Sequence, residues 1–575
     1  MTRYLLAADA DKIQDFIFRS AHLQEVIGGS HLLSRFCKEG LEKLNDHYSN
    51  EKYAGNWKEN EDWQVIINDG GRFLLSFKEE EKAEKFGNDL MELYRRSVQG
   101  SLTVVIDETG YEHDNKEQFK EANERVQKKL ERAKLSSRGA LPTEHIPQMA
   151  FCASCGVALA VDHKALFETE NEMYLCTNCL EKRDERRGFM VGPPHKNSME
   201  NPLFINEFRD VIIKNHEGID IKHLWLPVKP VDAISQYDPR GYVAYLVADG
   251  NCMGELFSEC DDSEQMTKLS KELKTSIYTA LAEPMADIKK YLDERYGEHL
   301  LKSKEKGDPD KLEQILPVVP LILGGDDIFV LLPASYAVDF TRRFTKAYET
   351  IMKSAKDALQ INTGKEPTLS TVVMICKSNY PYKLAHQHGE ARLKLVKKMA
   401  KSFLPTEQRS VIDVEVILSS ERRGTEKQQE ERELFVPSLR PFWAHGVSSE
   451  HGIPIDKLIQ ARKDLKDLPN KRREQLRALF YETNLPENKQ ESIDRWNQKL
   501  QHLLERIDRM DANGSNKKNT IDSLKALGDE ADNTGPAHWI QVQRETTTYK
   551  AHALPDLLRM WDYCYDLKES IEFYE

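Results

Sequence analysis

The stretch Val318-Val319-Pro320-Leu321-Ile322-Leu323-Gly324-Gly325-Asp326-Asp327-Ile328-Phe329-Val330-Leu331-Leu332 joins two apolar, strand-like runs through two glycines and two adjacent carboxylates. Glycine lets a chain turn tightly and lets a ligand approach the backbone. Adjacent aspartates at a hairpin tip form a hard, anionic oxygen site of the kind magnesium or manganese prefers. The competing reading is a solvated turn, because Asp and Gly are common in turns.

Around this hairpin the chain spells a repeated order. Val243–Ala248 reads as a strand ending at Asp249, Ser263–Leu292 as a helix, and Tyr336–Leu359 as another. Ser370–Ile375 follows as a strand, then a basic helix over Lys383–Lys401 and a further strand over Val411–Leu418. The first segment has the same sequence of elements. Tyr4–Ala8, Val65–Asn68, Phe73–Phe77 and Leu102–Ile106 read as strands. Ser30–Leu44 and Lys78–Arg95 show helical spacing, and a charged helix follows at about Asn115–Ala133. Its hairpin carries Asp69-Gly70-Gly71-Arg72, without the carboxylate pair. The expectation is an α+β protein with two ferredoxin-like β-α-β-β-α-β palm domains, a zinc-ribbon insert and a C-terminal helical domain. The boundaries expected are 1–145 for the first palm and 146–235 for the insert and linker. The second palm takes 236–425 and the helical domain 426–575. Gly188–Pro202 reads as a linker, Ile455–Asp511 and Ala551–Tyr574 as helical, and Asp511–Pro536 as a polar loop.

With 575 residues the chain is too long for one core. A net charge of −13 argues against a general nucleic-acid coat, though not against a local basic groove or assembly with RNA-carrying subunits. No apolar stretch approaches the roughly 20 residues that span a bilayer. The N-terminus does not read as a signal peptide, so the expectation is a cytoplasmic protein without membrane attachment.

Asp249 is the partner the hairpin needs. In a ferredoxin-like sheet the first strand lies beside the hairpin strand, which would bring Asp249 next to Asp326 and Asp327. Three such carboxylates would bind two divalent ions, Mg2+ or Mn2+, that neutralise a triphosphate and acidify an attacking hydroxyl. That is the chemistry of a palm-type nucleotidyltransferase. A strand-ending Asp-Gly turn is the alternative.

Asp249-Gly250-Asn251-Cys252-Met253-Gly254, followed by Gly324-Gly325-Asp326-Asp327, resembles the large polymerase/cyclase subunit of type III CRISPR effector complexes. Asp11-Lys12-Ile13-Gln14-Asp15-Phe16-Ile17-Phe18 and Gly28-Gly29-Ser30-His31-Leu32-Leu33 resemble that family's first-palm signature. Asp69-Gly70-Gly71-Arg72-Phe73 resembles its carboxylate-poor hairpin. The resemblance spans about residues 1–425. It implies that the second palm polymerises ATP into cyclic oligoadenylates once a complex of guide RNA, target RNA and other CRISPR subunits has assembled. Carried over by position, Asp249, Asp326 and Asp327 would hold the metals, and Gly324 and Gly325 would admit the nucleotide. Ser30 would lie near a second nucleotide at the palm–palm interface, and Lys401 would face the triphosphate. Where relatives often carry a second aspartate, this chain has the neutral Asn251. The resemblance also suggests a form lacking the family's histidine–aspartate nuclease domain. His113-Asp114 is an isolated pair, so no DNA cleavage is expected.

Cys152-Ala-Ser-Cys155 and Cys176-Thr-Asn-Cys179 have the spacing of a structural zinc ribbon. Four thiolates close a tetrahedron and leave no open position for catalysis. His163, between the pairs, reads as a surface residue. Two further functions stay open at this stage: a stand-alone cyclase or cyclic-dinucleotide synthase, and an inactive scaffold that binds RNA and subunits.

Overall fold

The computed structural model describes residues 2–20, 22–48, 63–136, 149–164, 172–187, 210–211, 214, 230–238, 240–300, 317–403, 408–417, 439–448, 452–481, 490–509, 515–528, 538–544 and 547–567. The linker read at Gly188–Pro202 lies outside them.

The first palm opens with β1 (Thr2–Ala10), the short helix α1 (Ile13–Phe18) and α2 (Leu23–Tyr48). It continues through β2 (Trp63–Asp69), β3 (Arg72–Phe77), α3 (Glu80–Val98), β4 (Leu102–Ile106), β5 (Tyr111–Glu112) and α4 (Lys116–Ser136). Its strands lie in the order β2-β3-β1-β4, all antiparallel. Alternation along β1 feeds two cores. Leu6 and Ala8 join Phe36, Phe73 and Phe86 on one side, while Leu5 and Ala7 join Phe119 and Val126 of α4 on the other.

The cysteine-bearing insert supplies β6 (Asp162–Lys164), β7 (Met173–Leu175) and α5 (Thr177–Arg187). After α6 (Pro230–Ser235), the second palm repeats the first: β8 (Tyr242–Asn251), α7 (Met253–Ser258), α8 (Ser263–Leu300), β9 (Val319–Gly324) and β10 (Asp327–Pro333). It then runs through α9 (Ala337–Ala358), β11 (Thr368–Lys377), α10 (Tyr382–Phe403) and β12 (Val411–Val416). Its order β9-β10-β8-β11 reproduces that of the first palm. β12 is added in parallel to β11, and β13 (Phe442–Trp443) closes the edge. The expected α+β class with two ferredoxin-like sheets is borne out.

The correspondence extends to single residues. Ala8 pairs with Phe73 as Ala248 pairs with Ile328. Asp9 lies opposite Thr103 as Asp249 lies opposite Ser370. Lys12 and Cys252 both take left-handed backbone just before a short helix, at φ 50° and 61°. Both short helices, α1 and α7, escaped the reading of the sequence. Asp249 also lies inside β8 and does not end it, because the strand continues to Asn251.

The C-terminal region needs correction. Helices α11 (Ile455–Asp464), α12 (Asn470–Tyr481) and α13 (Gln490–Asp508) occupy the expected helical stretch. The expected loop at Asp511–Pro536 contains helix α14 (Ser515–Ala526), whose Thr520, Ser523 and Leu524 are buried. The expected helix at Ala551–Tyr574 instead begins at the end of a hairpin, β14 (Ile540–Arg544) with β15 (Thr547–Ala551). A short α15 (Leu554–Arg559) follows. Strands therefore do occur beyond residue 425. Buried His552 joins the hairpin to α14, with Nε2 2.9 Å from the Leu524 carbonyl.

Candidate active site and metal centre

β9 and β10 turn through Gly325, whose φ of +59° favours glycine. Asp327 opens β10, and Asp249 continues the register one residue beyond the Ala248–Ile328 pair. Asp326 leans over β8, where a Cβ added at Gly250 would come within 3.4 Å of its Oδ2. The structure therefore brings Asp249, Asp326 and Asp327 to one corner of the sheet. Burial first, then the charge of Asp326, raises the Asp249 carboxyl to about 6, against the pull of Lys397. Asp327 is raised to about 7 by loss of solvation, then by Asp249 and Asp326. Its side chain keeps a solvent-exposed face beside those two carboxylates.

This local excess of negative charge, made only of oxygen donors, fits a hard divalent cation. The carboxylates are nevertheless less tightly gathered than the thiols described below. Among the described residues, only the four cysteines bring three or more His, Cys, Asp or Glu ligand atoms within 4.8 Å of one another.

Lys397 of α10 is the cation at this corner, and sequence reasoning missed it. Its Nζ forms an ion pair with Asp249 Oδ2 and lies 3.4 Å from the Gly250 carbonyl. Lys401, the lysine singled out from the sequence, is exposed one turn further along. The two are four residues apart on one helical face, so spacing alone did not separate them. Asn251 is held away from this chemistry. Its Oδ1 accepts from Ser370 Oγ at 2.9 Å, and its Nδ2 donates to Thr368 Oγ1 at 3.1 Å. Asp11 holds the same place in the first palm and accepts from Thr103 Oγ1 at 2.7 Å.

Gly28, Gly29 and Ser30 lie inside α2 and form no turn. Ser30 is buried, and its carbonyl accepts from Ser34 Oγ at 3.0 Å. The two hairpin tips meet: a Cβ at Gly70 would stand 3.1 Å from the Gly325 amide nitrogen. Above Gly325 itself a Cβ would meet nothing within 4 Å, so the second tip is open on that side.

Cys152, Cys155, Cys176 and Cys179 converge, with Cys155 Sγ 3.8 Å from Cys176 Sγ. Such a closed set of four thiols suits a tetrahedral structural ion. His163 stays outside it, 3.2 Å from Glu172 and half-exposed.

The cysteine unit docks on the first palm through buried polar groups. Glu25, fully buried, accepts from Arg183 Nε, from Ser20 Oγ and from Ser154 Oγ, the last at 2.5 Å. Lys182 donates to the Phe16 carbonyl. Ser20 also reaches the second palm, where Tyr382 OH donates to its carbonyl at 2.6 Å. Nearby, His386 of α10 stacks on Phe18 at 3.6 Å between ring centroids and packs edge-on to Phe329.

Residues 242–403 match the family described as Cas10/Cmr2, second palm domain. The resemblance drawn from the motifs is thus borne out: the chain carries a Cas10-type second palm, the domain of the large subunit of type III CRISPR complexes. No curated protein matches the chain. Among solved structures, the apo Csm1-Csm4 cassette is similar at 15% identity, covering 88% of this chain and 65% of that one, with a TM-score of 0.43. The Csm1-Csm4 cassette in complex with cA4 gives 15% identity, 88% and 70% coverage, and a TM-score of 0.40. Csm1 in T. onnurineus gives 15%, 82% and 62%, and a TM-score of 0.39. The chain spans less than two thirds of the first and third of these. Among the described residues, no helix is long and apolar enough to cross a membrane.

Proposed function

We propose that the chain is a metal-dependent nucleotidyltransferase that converts ATP to cyclic oligoadenylates when a type III CRISPR complex binds target RNA. The observation that carries this reading is Asp249 beside the Gly324-Gly325-Asp326-Asp327 tip, within residues matched to the Cas10/Cmr2 second palm. Asp249, Asp326 and Asp327 would hold Mg2+ or Mn2+, which when bound neutralises a triphosphate and acidifies an attacking hydroxyl. The open face above Gly325 gives a nucleotide access to the backbone. Gly324 flanks that face, and Ser30 and Lys401 are proposed as further nucleotide contacts. The first palm, with Gly71 and Arg72 at the equivalent tip, forms the opposite wall.

Zinc in the Cys152-Cys155-Cys176-Cys179 set would be structural, bracing the insert against α2. Guide RNA, target RNA and other CRISPR subunits are the proposed partners, and the cytoplasm is the proposed location. The test is incubation with ATP and Mn2+, alone and with target-bound complex, followed by mass spectrometry. Cyclic oligoadenylate from the complex supports the reading. No product in any state refutes it.

A further inference from the structure

We propose that Lys397 is the built-in counter-ion of the palm carboxylates, holding Asp249 where a divalent cation binds, and that arrival of the cation displaces it. This rests on the cation-binding reading given above. Lys397 Nζ is ion-paired with Asp249 Oδ2 and 3.4 Å from the Gly250 carbonyl. A carboxylate oxygen and a backbone carbonyl are the donor types a hard cation selects. An ammonium and a divalent cation repel at such range, so they compete for those oxygens.

The first palm supplies the second observation. Lys134, on the helix after that palm's last paired strands, bonds Asp9 Oδ2 at 2.5 Å and lies 3.5 Å from the Ala10 carbonyl. Asp9 and Ala10 are the register equivalents of Asp249 and Gly250. The same lysine–carboxylate–carbonyl contact therefore exists in both palms. In the first, Gly71 and Arg72 stand where the second has Asp326 and Asp327. There Asp9 has no carboxylate pair beside it, so the contact offers a dication little that the lysine does not already fill. In the second palm two more carboxylates surround the same contact and create a site worth more to a dication than to one ammonium. The Lys397 side chain keeps about 25% of its surface exposed, and its four-carbon stem lets the head swing into water.

The test is Mn2+ titration of the 575-residue chain, followed by the free-ion paramagnetic resonance signal. Wild type is compared with Lys397→Met, Lys134→Met and the double variant Asp326→Ala/Asp327→Ala. Losing one charged hydrogen bond from the competing state should tighten Mn2+ binding about tenfold in Lys397→Met. Lys134→Met should leave the affinity within about twofold of wild type, since its palm lacks the carboxylate pair. If Lys397→Met fails to fold, Lys397→Gln carries the same test. Unchanged or weaker Mn2+ binding in the Lys397 variants, with binding lost in the aspartate variant, overturns the counter-ion role while the metal reading stands. Absence of Mn2+ binding in wild type and Lys397→Met alike overturns both.

Discussion

Gly70 and Gly325, the glycines at the two hairpin tips, face one another so closely that a Cβ on Gly70 would lie 3.1 Å from the Gly325 amide nitrogen. Gly70 also has φ +60°. Gly70→Ala therefore meets both strained backbone and a backbone obstacle that cannot rotate away. Gly156→Ala, in the cysteine unit, meets only the strain, with φ +68° and nothing within 4 Å. We expect Gly156→Ala to cost about 1–2 kcal/mol and Gly70→Ala to cost more, with a loss of product from the adjoining site. Thermal melts of both variants check this. Equal losses would show that the tips do not bear on one another.

Asp326→Ala combined with Asp327→Ala should abolish nucleotide synthesis and leave assembly with RNA and partner subunits intact. The side chains sit at an open tip and contribute little packing, so the folded chain tolerates their loss. Product analysis and sizing chromatography of the same preparation separate the two effects. Failure to assemble would assign the pair a structural role.

Cys176→Ser should lower bound zinc, measured by elemental analysis, from about one ion per chain to near none. It should also destabilise the first palm, because Arg183 follows the cysteine pair on α5 and neutralises fully buried Glu25. A buried carboxylate left unpaired costs roughly 3–5 kcal/mol. A wild-type chain free of zinc, or a variant with an unchanged melting temperature, would contradict this.

His386 gives a pH dependence of known sign. Burial lowers its imidazole from the ordinary 6.5 to about 4, and Glu390, 3.7 Å from Nε2, does not offset this. The unfolded chain takes up the proton first as pH falls from about 6.5 toward 4, so stability drops across that window and is unaffected above it. Because His386 stacks between Phe18 and Phe329, the loss loosens the palm–palm contact. His386→Phe, which cannot titrate, should show a smaller fall in melting temperature between pH 7 and pH 5. An identical fall in both proteins would exclude His386 as the source.

The parts legible in the sequence were those written locally. Alternation in Phe73–Phe77 and Ile328–Leu332, the glycine-rich tips and the two Cys-x-x-Cys pairs each encode their structure within a few residues. Pairings between distant segments were not legible. Nothing local distinguishes Lys397 from Lys394, Lys398 or Lys401; only the placement of α10 across β8 selects it. Asn251 looked like a weakened metal ligand from its chemistry alone, yet Ser370 and Thr368 occupy both ends of its amide. Ser515–Ala526 is polar enough to read as a loop, and packing of Thr520, Ser523 and Leu524 overrides that composition.

Ser20 gives the molecule a mechanical linkage. Its carbonyl is held by Tyr382, the first residue of α10, while its hydroxyl lies 3.1 Å from Ser154 of the cysteine unit. Lys397 rides the same rigid helix, roughly 22 Å further along at 1.5 Å per residue. α10 is thus one continuous strut joining the insert to the carboxylate corner, pressed onto β8 between them, where a Cβ at Gly389 would stand 2.7 Å from Val247 Cγ2.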